Sequence, residues 1–128
     1  MHSDKFFLQN CEGLRRIYGY LPTFSEVNLH KLQLDWNGPT ASLTLDLQEF
    51  PDNPPLKWAK FNTIQVELSI SPLTSIQLSK FGTGNKCSFA ISSSDNHDLE
   101  IVLHGETEAR LRGKSAWICK ISAYLNNG

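Results

Sequence analysis

A regular alternation of apolar and polar residues is the feature that most constrains how this chain folds. The clearest example runs from Ala41 to Gln48, where Ala or Leu occupies every odd position and a polar residue every even one. Because neighbouring side chains of a strand project to opposite faces, this pattern predicts a strand with one buried and one solvent-facing side. Asp46 falls on the solvent-facing side. The same alternation from Ile64 to Ile70 also turns Glu67 outward.

Turn residues divide the β region, about residues 26–125, into about eight short strands. Asn37-Gly38 is typical of a hairpin turn, and a change of phase at His30-Lys31 predicts a β-bulge. The final strand alternates Trp117, Cys119 and Ile121, which we expect to be buried. Short strands that follow one another along the chain, with only a turn between them, favour antiparallel hairpins. Further breaks come from Ser71-Pro72, Gly82 to Asn85, Ser92 to Asn96 and Gly113.

One helix precedes the strands. Ser3-Asp4 can cap a helix over about residues 4–18, its apolar stripe includes Leu14, Ile17 and Tyr18, and Gly19 provides a stop. A chain of 128 residues is long enough for a single domain with one core, residues 1–128. We therefore predict an α+β fold in which a mainly antiparallel sheet is covered by an N-terminal helix. A curved sheet wrapping the helix and a two-layer sandwich would both satisfy the pattern.

The segment from Phe50 to Trp58 interrupts the alternation with three of the six prolines of the chain. Proline fixes its own φ angle and has no N–H for a sheet ladder, so this segment is neither a central strand nor a helix interior. Pro54 and Pro55 also push the residues before them toward extended backbone, which predicts a stiff connector. We interpret Phe50, Pro54, Pro55 and Trp58 as structural anchors of the fold. The alternative is that this segment forms a preorganised binding edge.

Charge and cysteine content argue against several classes of protein. The net charge of −1 does not suit binding to nucleic acid or to a membrane surface through bulk charge. Three widely separated cysteines without a C-x-x-C pair indicate neither a disulfide framework nor a zinc ribbon. No apolar window approaches the roughly 18 residues that span a bilayer, and no signal-peptide pattern follows Met1, so we expect a cytoplasmic protein.

No set of residues forms a recognisable active site. His97 and His104 stand at opposite ends of one predicted strand, roughly 23 Å apart, which is too far to share a metal ion. Cys87 and Cys119 fall on the expected buried sides of strands, where thiols are usually inert. Neither a nucleophile elbow nor a phosphate-binding loop occurs. We therefore predict no enzymatic activity, no metal site and no cofactor.

The remaining chemistry is typical of an interaction surface. Residues 95–108 contain five acids and no Lys or Arg, whereas three basic residues follow between Arg110 and Lys114. Such an acidic strand would attract a basic partner. Tryptophan often anchors protein interfaces, and Trp36 stands beside the hairpin turn. The candidate partner-binding residues are Trp36, Asp46, Asp95, Asp98, Glu100 and Glu106.

Several motifs spread over about residues 13–125 together resemble one known family. They are Pro22-Thr23-Phe24, Asn37-Gly38-Pro39, Phe50 to Trp58, Phe61 to Leu68 and Ile118 to Tyr124. The family is immunity protein 50, whose members are small proteins encoded beside bacterial polymorphic toxins, and the most specific likeness is the Pro-Pro-x-Lys-Trp segment. The resemblance implies a non-catalytic antitoxin that binds its cognate toxin domain in the producing or sibling cell. It transfers no catalytic residue and no binding motif.

Two hypotheses of different class follow. In the first, a monomer or weak homo-oligomer blocks the toxin by stoichiometric protein–protein occlusion, and if the toxin is a nuclease, the acids at Asp95, Asp98 and Glu100 would mimic phosphate. Neither nucleic acid nor membrane is expected as a partner. In the second, the chain is a small-ligand-binding β-domain of a cytosolic bacterial protein, with its pocket between sheet and helix.

Overall fold

The protein is described by a computed structural model that covers residues 8–82, 84–93 and 98–126. A short 3₁₀ turn, Leu56–Trp58, lies between the third and fourth strands. The predominance of strands beside a single short α-helix in this described part confirms the predicted α+β class. The elements are β1 (Leu8–Gln9), α1 (Glu12–Tyr18), β2 (Val27–Asp35), β3 (Thr40–Leu47), β4 (Thr63–Lys80), β5 (Lys86–Ser93), β6 (Leu99–Gly105) and β7 (Glu108–Tyr124).

All of these strands belong to one sheet, in the order β1-β7-β4-β3-β2-β5-β6, and β6 also pairs with β7. The sheet therefore curves round and closes on itself, which is the first of the two architectures that the sequence left open. Only β1 runs parallel to its neighbour; the other pairings are antiparallel. The shortest pairing joins β2 to β5 through Val27↔Cys87 and Asn28↔Lys86.

The inner side of the curved sheet holds one hydrophobic core. The odd-numbered residues of β3 from Ala41 to Leu47 and the even-numbered residues of β4 from Ile64 to Ile70 are all buried, as their alternation predicts. Leu14 and Tyr18 of α1 pack into the same cluster, so the sheet wraps the helix. The intervening residues of β3 and β4, which are mainly polar, consequently lie on the outer side of the sheet.

The helix is shorter than the predicted span of about 4–18. Leu8 and Gln9 form β1 beside β7 instead, and residues 1–7 lie outside the described part of the chain. Asn10 separates strand from helix: its φ angle is 63°, and its side-chain Nδ2 donates to the carbonyl oxygen of Ile118 at 2.7 Å. A residue in this left-handed conformation cannot continue a helix. Gly19 ends the helix as predicted, with φ of 83°.

Two long strands replace four of the short ones that we expected, and β1 is an additional strand, so the sheet contains seven strands rather than about eight. β4 continues through Pro72 because its pairing with β3 stops at Ile70, and the missing N–H therefore costs no bond to that strand. β7 continues through Gly113, where an added Cβ would lie 2.7 Å from Cγ1 of Ile70. Glycine here permits close strand contact rather than marking a turn.

The buried face of the final strand also differs from the prediction. Glu67 and Leu68 of β4 pair with Lys120 and Ile118, so Cys119 is an extra residue on β7. This β-bulge changes the phase of the strand. Ile118 is therefore buried while Cys119 is exposed, and the expected inward position of Cys119 is wrong.

Candidate protein-binding surface

The turn between β2 and β3, residues 36–39, is held by local hydrogen bonds. The N–H of Asn37 donates to Oδ1 of Asp35 at 2.9 Å. Gly38 has a φ angle of 121°, a conformation that favours glycine. The hairpin that Asn37-Gly38 indicates is thus confirmed.

The same turn is also tied to the middle of β4. The hydroxyl of Thr40 donates to Oγ of Ser71 at 3.0 Å, and the hydroxyl of Ser71 reaches the carbonyl oxygen of Pro39 at 3.3 Å. The N–H of Leu73 donates to that carbonyl at 2.8 Å. These contacts to a central strand fix the position of the turn relative to the sheet.

Trp36 stands on this fixed turn with 96% of its surface exposed. Tryptophan carries the largest apolar side chain and is buried over most of its surface in ordinary folds, so this exposure is unusual. Leu34, two residues earlier and within β2, is 55% exposed. A preordered turn that presents an uncovered indole next to a leucine has the features of an interface anchor.

One edge of β2 lacks a neighbouring strand over half its length. The N–H of Leu29 still donates to the carbonyl oxygen of Asn85 at 2.9 Å. Beyond it, none of the described residues pairs with His30–Asp35 on that side. The register shift between Leu29 and Lys31 confirms the predicted β-bulge. The edge therefore offers main-chain donors and acceptors beside the exposed turn.

A polar cavity of about 250 Å³ lies on the outer side of the sheet beside β2. This volume is below the range of a typical small-molecule pocket. Because both signs of charge are present, the cavity suits a polar side chain of a protein partner better than an apolar metabolite. Its lining residues are His30, Lys31, Thr44, Gln65, Glu67, Lys120 and Ser122.

Asp46, expected on the solvent-facing side, is 4% exposed. Its Oδ1 accepts a hydrogen bond from Nε2 of Gln65 at 2.9 Å, its Oδ2 accepts one from the hydroxyl of Tyr124, and Nδ1 of His30 lies 3.7 Å from Oδ2. The prediction of an outward Asp46 is wrong because long side chains from three neighbouring strands cover it. No periodic pattern in the sequence indicates this cluster.

Burial and contact with Asp46 also change the pKa of the Tyr124 hydroxyl. Burial, the hydrogen bond to Asp46 and the charge of that carboxylate together raise the pKa of the Tyr124 hydroxyl to about 12, and burial is the largest of the three causes. The phenol therefore keeps its proton at neutral pH and serves as a donor. The Asp46 cluster is accordingly a structural network on the outer side of the sheet.

Asp98, which directly precedes β6, and Glu100 of β6 have basic partners on β7. Oδ1 of Asp98 lies 2.6 Å from Nζ of Lys114, and Oε2 of Glu100 lies 3.0 Å from Nη2 of Arg112 and 3.6 Å from Nη1 of Arg110. Asp98 is buried and Glu100 is half-buried. The sequence separates acids from bases, but the antiparallel pairing of β6 with β7 brings them together. No uncompensated acidic surface remains at these two residues.

The other predicted acids have different surroundings. Glu106 is exposed, and its Oε1 accepts a hydrogen bond from the N–H of Lys86 at 2.9 Å, which ties the end of β6 to the start of β5. Asp95 lies outside the described residues. Of the predicted partner-binding residues, Trp36 is thus the one that combines full exposure with a fixed support.

The segment from Phe50 to Trp58 forms part of the connection between β3 and β4 and packs against the core. Phe50 and Trp58 are half-buried and contact the hydrophobic cluster, while Pro54 and Pro55 are also half-buried. Pro55 has φ of −54° and ψ of 149°, the extended polyproline geometry, before the chain enters the 3₁₀ turn. Their role as anchors stays a prediction that mutation can test.

We expect replacement of Trp58 by alanine to lower the free energy of unfolding by about 1–3 kcal/mol, because a half-buried indole would be lost from the core. Leu56 on the same turn is 92% exposed, so its replacement by alanine is the matched control and should change stability by less than about 0.5 kcal/mol. Chemical denaturation checks both. Equal stability of the two variants would show that Trp58 is not an anchor.

The described residues contain no group of His, Cys, Asp and Glu that could hold a metal ion. Within the same part of the chain, no helix is long and apolar enough to cross a membrane. Burial raises the pKa of the Cys11 and Cys87 thiols, which keeps them protonated.

The chain was compared with family models, with curated proteins and with solved structures. The family model described as Immunity protein 50 matches residues 10–124 of the 128-residue chain. No curated protein and no solved structure matches.

Proposed function

The chain belongs to the immunity protein 50 family, and from this premise we propose that it binds and neutralises the cognate toxin domain of a bacterial polymorphic toxin system. The proposed mechanism is stoichiometric occlusion, in which the bound immunity protein covers the active cleft of the toxin or its substrate path. Proteins of this kind are generally not enzymes. The complex would form in the cytoplasm of the producing cell or of a sibling cell and protect it during bacterial competition.

The full exposure of Trp36 on a fixed turn is the observation that carries the choice of binding surface. The hydrogen bond that Asp35 accepts from Asn37, and those that the hydroxyls of Thr40 and Ser71 donate, already order the turn before any partner arrives. Binding would therefore cost little backbone entropy, and covering the indole would gain the apolar area now left in water.

The polar cavity supplies the second part of the proposed interface. His30 and Lys31 of β2 stand beside Lys120 of β7 and Glu67 of β4 around this cavity. Charged groups in a protein interface contribute mainly to the rate and specificity of association. We expect partner side chains that are complementary to this mixed lining.

Phosphate mimicry by Asp98 and Glu100 receives less support than occlusion by the β2–β3 hairpin. Asp98 and Glu100 are engaged by Lys114, Arg112 and Arg110. A basic toxin cleft would have to displace those partners before it met a free carboxylate. We therefore place the proposed contact at the β2–β3 hairpin.

Co-expression tests the proposal. The toxin domain encoded beside this chain should arrest growth when produced alone, and growth should recover when the immunity chain is produced with it. A tagged toxin domain should then retain the chain through purification. An unrelated toxin domain serves as the specificity control. Absence of both rescue and complex would contradict the proposed function.

A further inference from the structure

The unpaired edge of β2 carries opposite charges in a self-complementary order. Lys31, Gln33 and Asp35 are all exposed and pair in register with β3 on one side only. A lysine on a strand edge usually discourages pairing with another copy, because it would meet another lysine. In β2, Asp35 follows Lys31 by four residues. In one specific register, each lysine therefore meets an aspartate of the second copy instead of another lysine.

Antiparallel pairing of two β2 edges about Gln33 brings these charges together. With Gln33 opposite Gln33 of a second copy, Lys31 stands opposite Asp35 of that copy, and the reciprocal pair forms on the other side of the two-fold axis. Directly opposed unlike charges stabilise antiparallel strands. On the inner face the same register places Leu32 opposite Leu34, which would cover the leucine that the single chain leaves 55% exposed.

We propose that the protein forms a symmetric homodimer through the β2 edges, centred on Gln33. The occupant of this edge is a second copy of the chain, and the sheet of one protomer continues into that of the other. A two-fold interface requires a self-complementary patch, and the residues 31–35 provide one in both charge and apolar content. The inference goes beyond toxin neutralisation and does not depend on it.

Other unpaired strand edges in the described structure lack this property. Beyond Cys87, β5 pairs with β6 alone among the described strands, and its residues 88–93 carry no charge. β4 from Ser75 to Lys80 pairs with β7 alone, beyond the point where β3 ends. That segment contains Lys80 but no acid, so antiparallel self-pairing cannot produce a charge pair. Charge complementarity therefore selects β2 over β4.

Trp36 lies one residue beyond the last residue of β2 and so at the outer end of the proposed pairing. The register places it opposite His30 of the second copy, where the β-bulge interrupts the regular strand. Each dimer would thus carry a Trp36 turn at both ends of the joined strands.

Charge reversal tests the register directly. Sedimentation velocity of the full chain over about 1 µM to 1 mM should show concentration-dependent dimerisation. Lys31→Asp places acid against acid, and Asp35→Lys places base against base, so each variant alone should associate at least roughly tenfold more weakly. The double variant, which exchanges the two charges, should recover the dimer.

Mixing the two single variants gives the matched control. Lys31→Asp and Asp35→Lys present two unlike pairs to each other, so native mass spectrometry should detect more heterodimer in the mixture than homodimer of either variant alone. That result would also establish that both variants fold. A wild-type chain that stays monomeric throughout the concentration range overturns the proposal, as does dimerisation of either single variant at the wild-type strength.

Discussion

Replacement of Trp36 by alanine should weaken binding of the cognate toxin domain by about 2–4 kcal/mol, roughly 30- to 1000-fold in the dissociation constant. The indole is 96% exposed in the free protein, so its removal deprives the complex of an anchor without opening a cavity in the core. For the same reason the free energy of unfolding should change by less than about 0.5 kcal/mol. A large loss of affinity at constant stability distinguishes a contact residue from a fold residue.

Isothermal titration calorimetry of the two variants Trp36→Ala and Phe81→Ala measures this effect. Phe81 is an aromatic residue with 67% exposure that follows β4, away from the β2–β3 turn, and its replacement should leave affinity nearly unchanged. Equal affinity of Trp36→Ala and wild type would remove the hairpin from the interface. A loss for Phe81→Ala alone would move the interface to the end of β4.

Replacement of Asp46 by alanine should instead lower the free energy of unfolding by about 2–3 kcal/mol. The carboxylate accepts hydrogen bonds from Gln65 and Tyr124 on the outer side of the sheet, and both donors would lose their partner. Because Asp46 is 4% exposed, it has little surface to offer a toxin. The affinity of the folded fraction should therefore stay close to that of the wild type.

Urea unfolding of Asp46→Ala and Glu67→Ala separates these roles. Glu67 lies on the same outer face, two strand positions from Gln65, and is half-buried at the rim of the polar cavity. Its replacement should change stability by less than about 0.5 kcal/mol. If Asp46→Ala keeps wild-type stability but loses toxin binding, the assignment of Asp46 to the fold is wrong.

The sequence predicted the parts of the fold that depend on local periodicity. The alternation from Ala41 to Leu47 determined which side of β3 is buried, because both faces of a strand can be read from a period of two. The phase change at His30-Lys31 predicted a real β-bulge, and Asn37-Gly38 predicted a real turn. Trp36 is exposed beside that turn, and its role as a contact residue stays a prediction.

The features that the sequence did not predict depend on which strands become neighbours. β6 and β7 are adjacent along the chain, but the charge pairing of Glu100 with Arg112 follows only from their antiparallel register. The burial of Asp46 requires Tyr124, which is 78 residues away in sequence. The unpaired edge of β2 follows from the small overlap with β5. Local patterns contain no information on such distant contacts.

Titration of toxin activity with the purified chain tests the central claim most directly. If the protein neutralises its toxin by stoichiometric occlusion, residual activity should fall linearly and reach zero at one immunity chain per toxin domain, with the dimer counted as two chains. Removing the immunity protein by denaturation and refolding the toxin should restore its activity. Two results would contradict stoichiometric occlusion. One is complete neutralisation at far less than one immunity chain per toxin domain, and the other is full toxin activity in the presence of excess immunity protein.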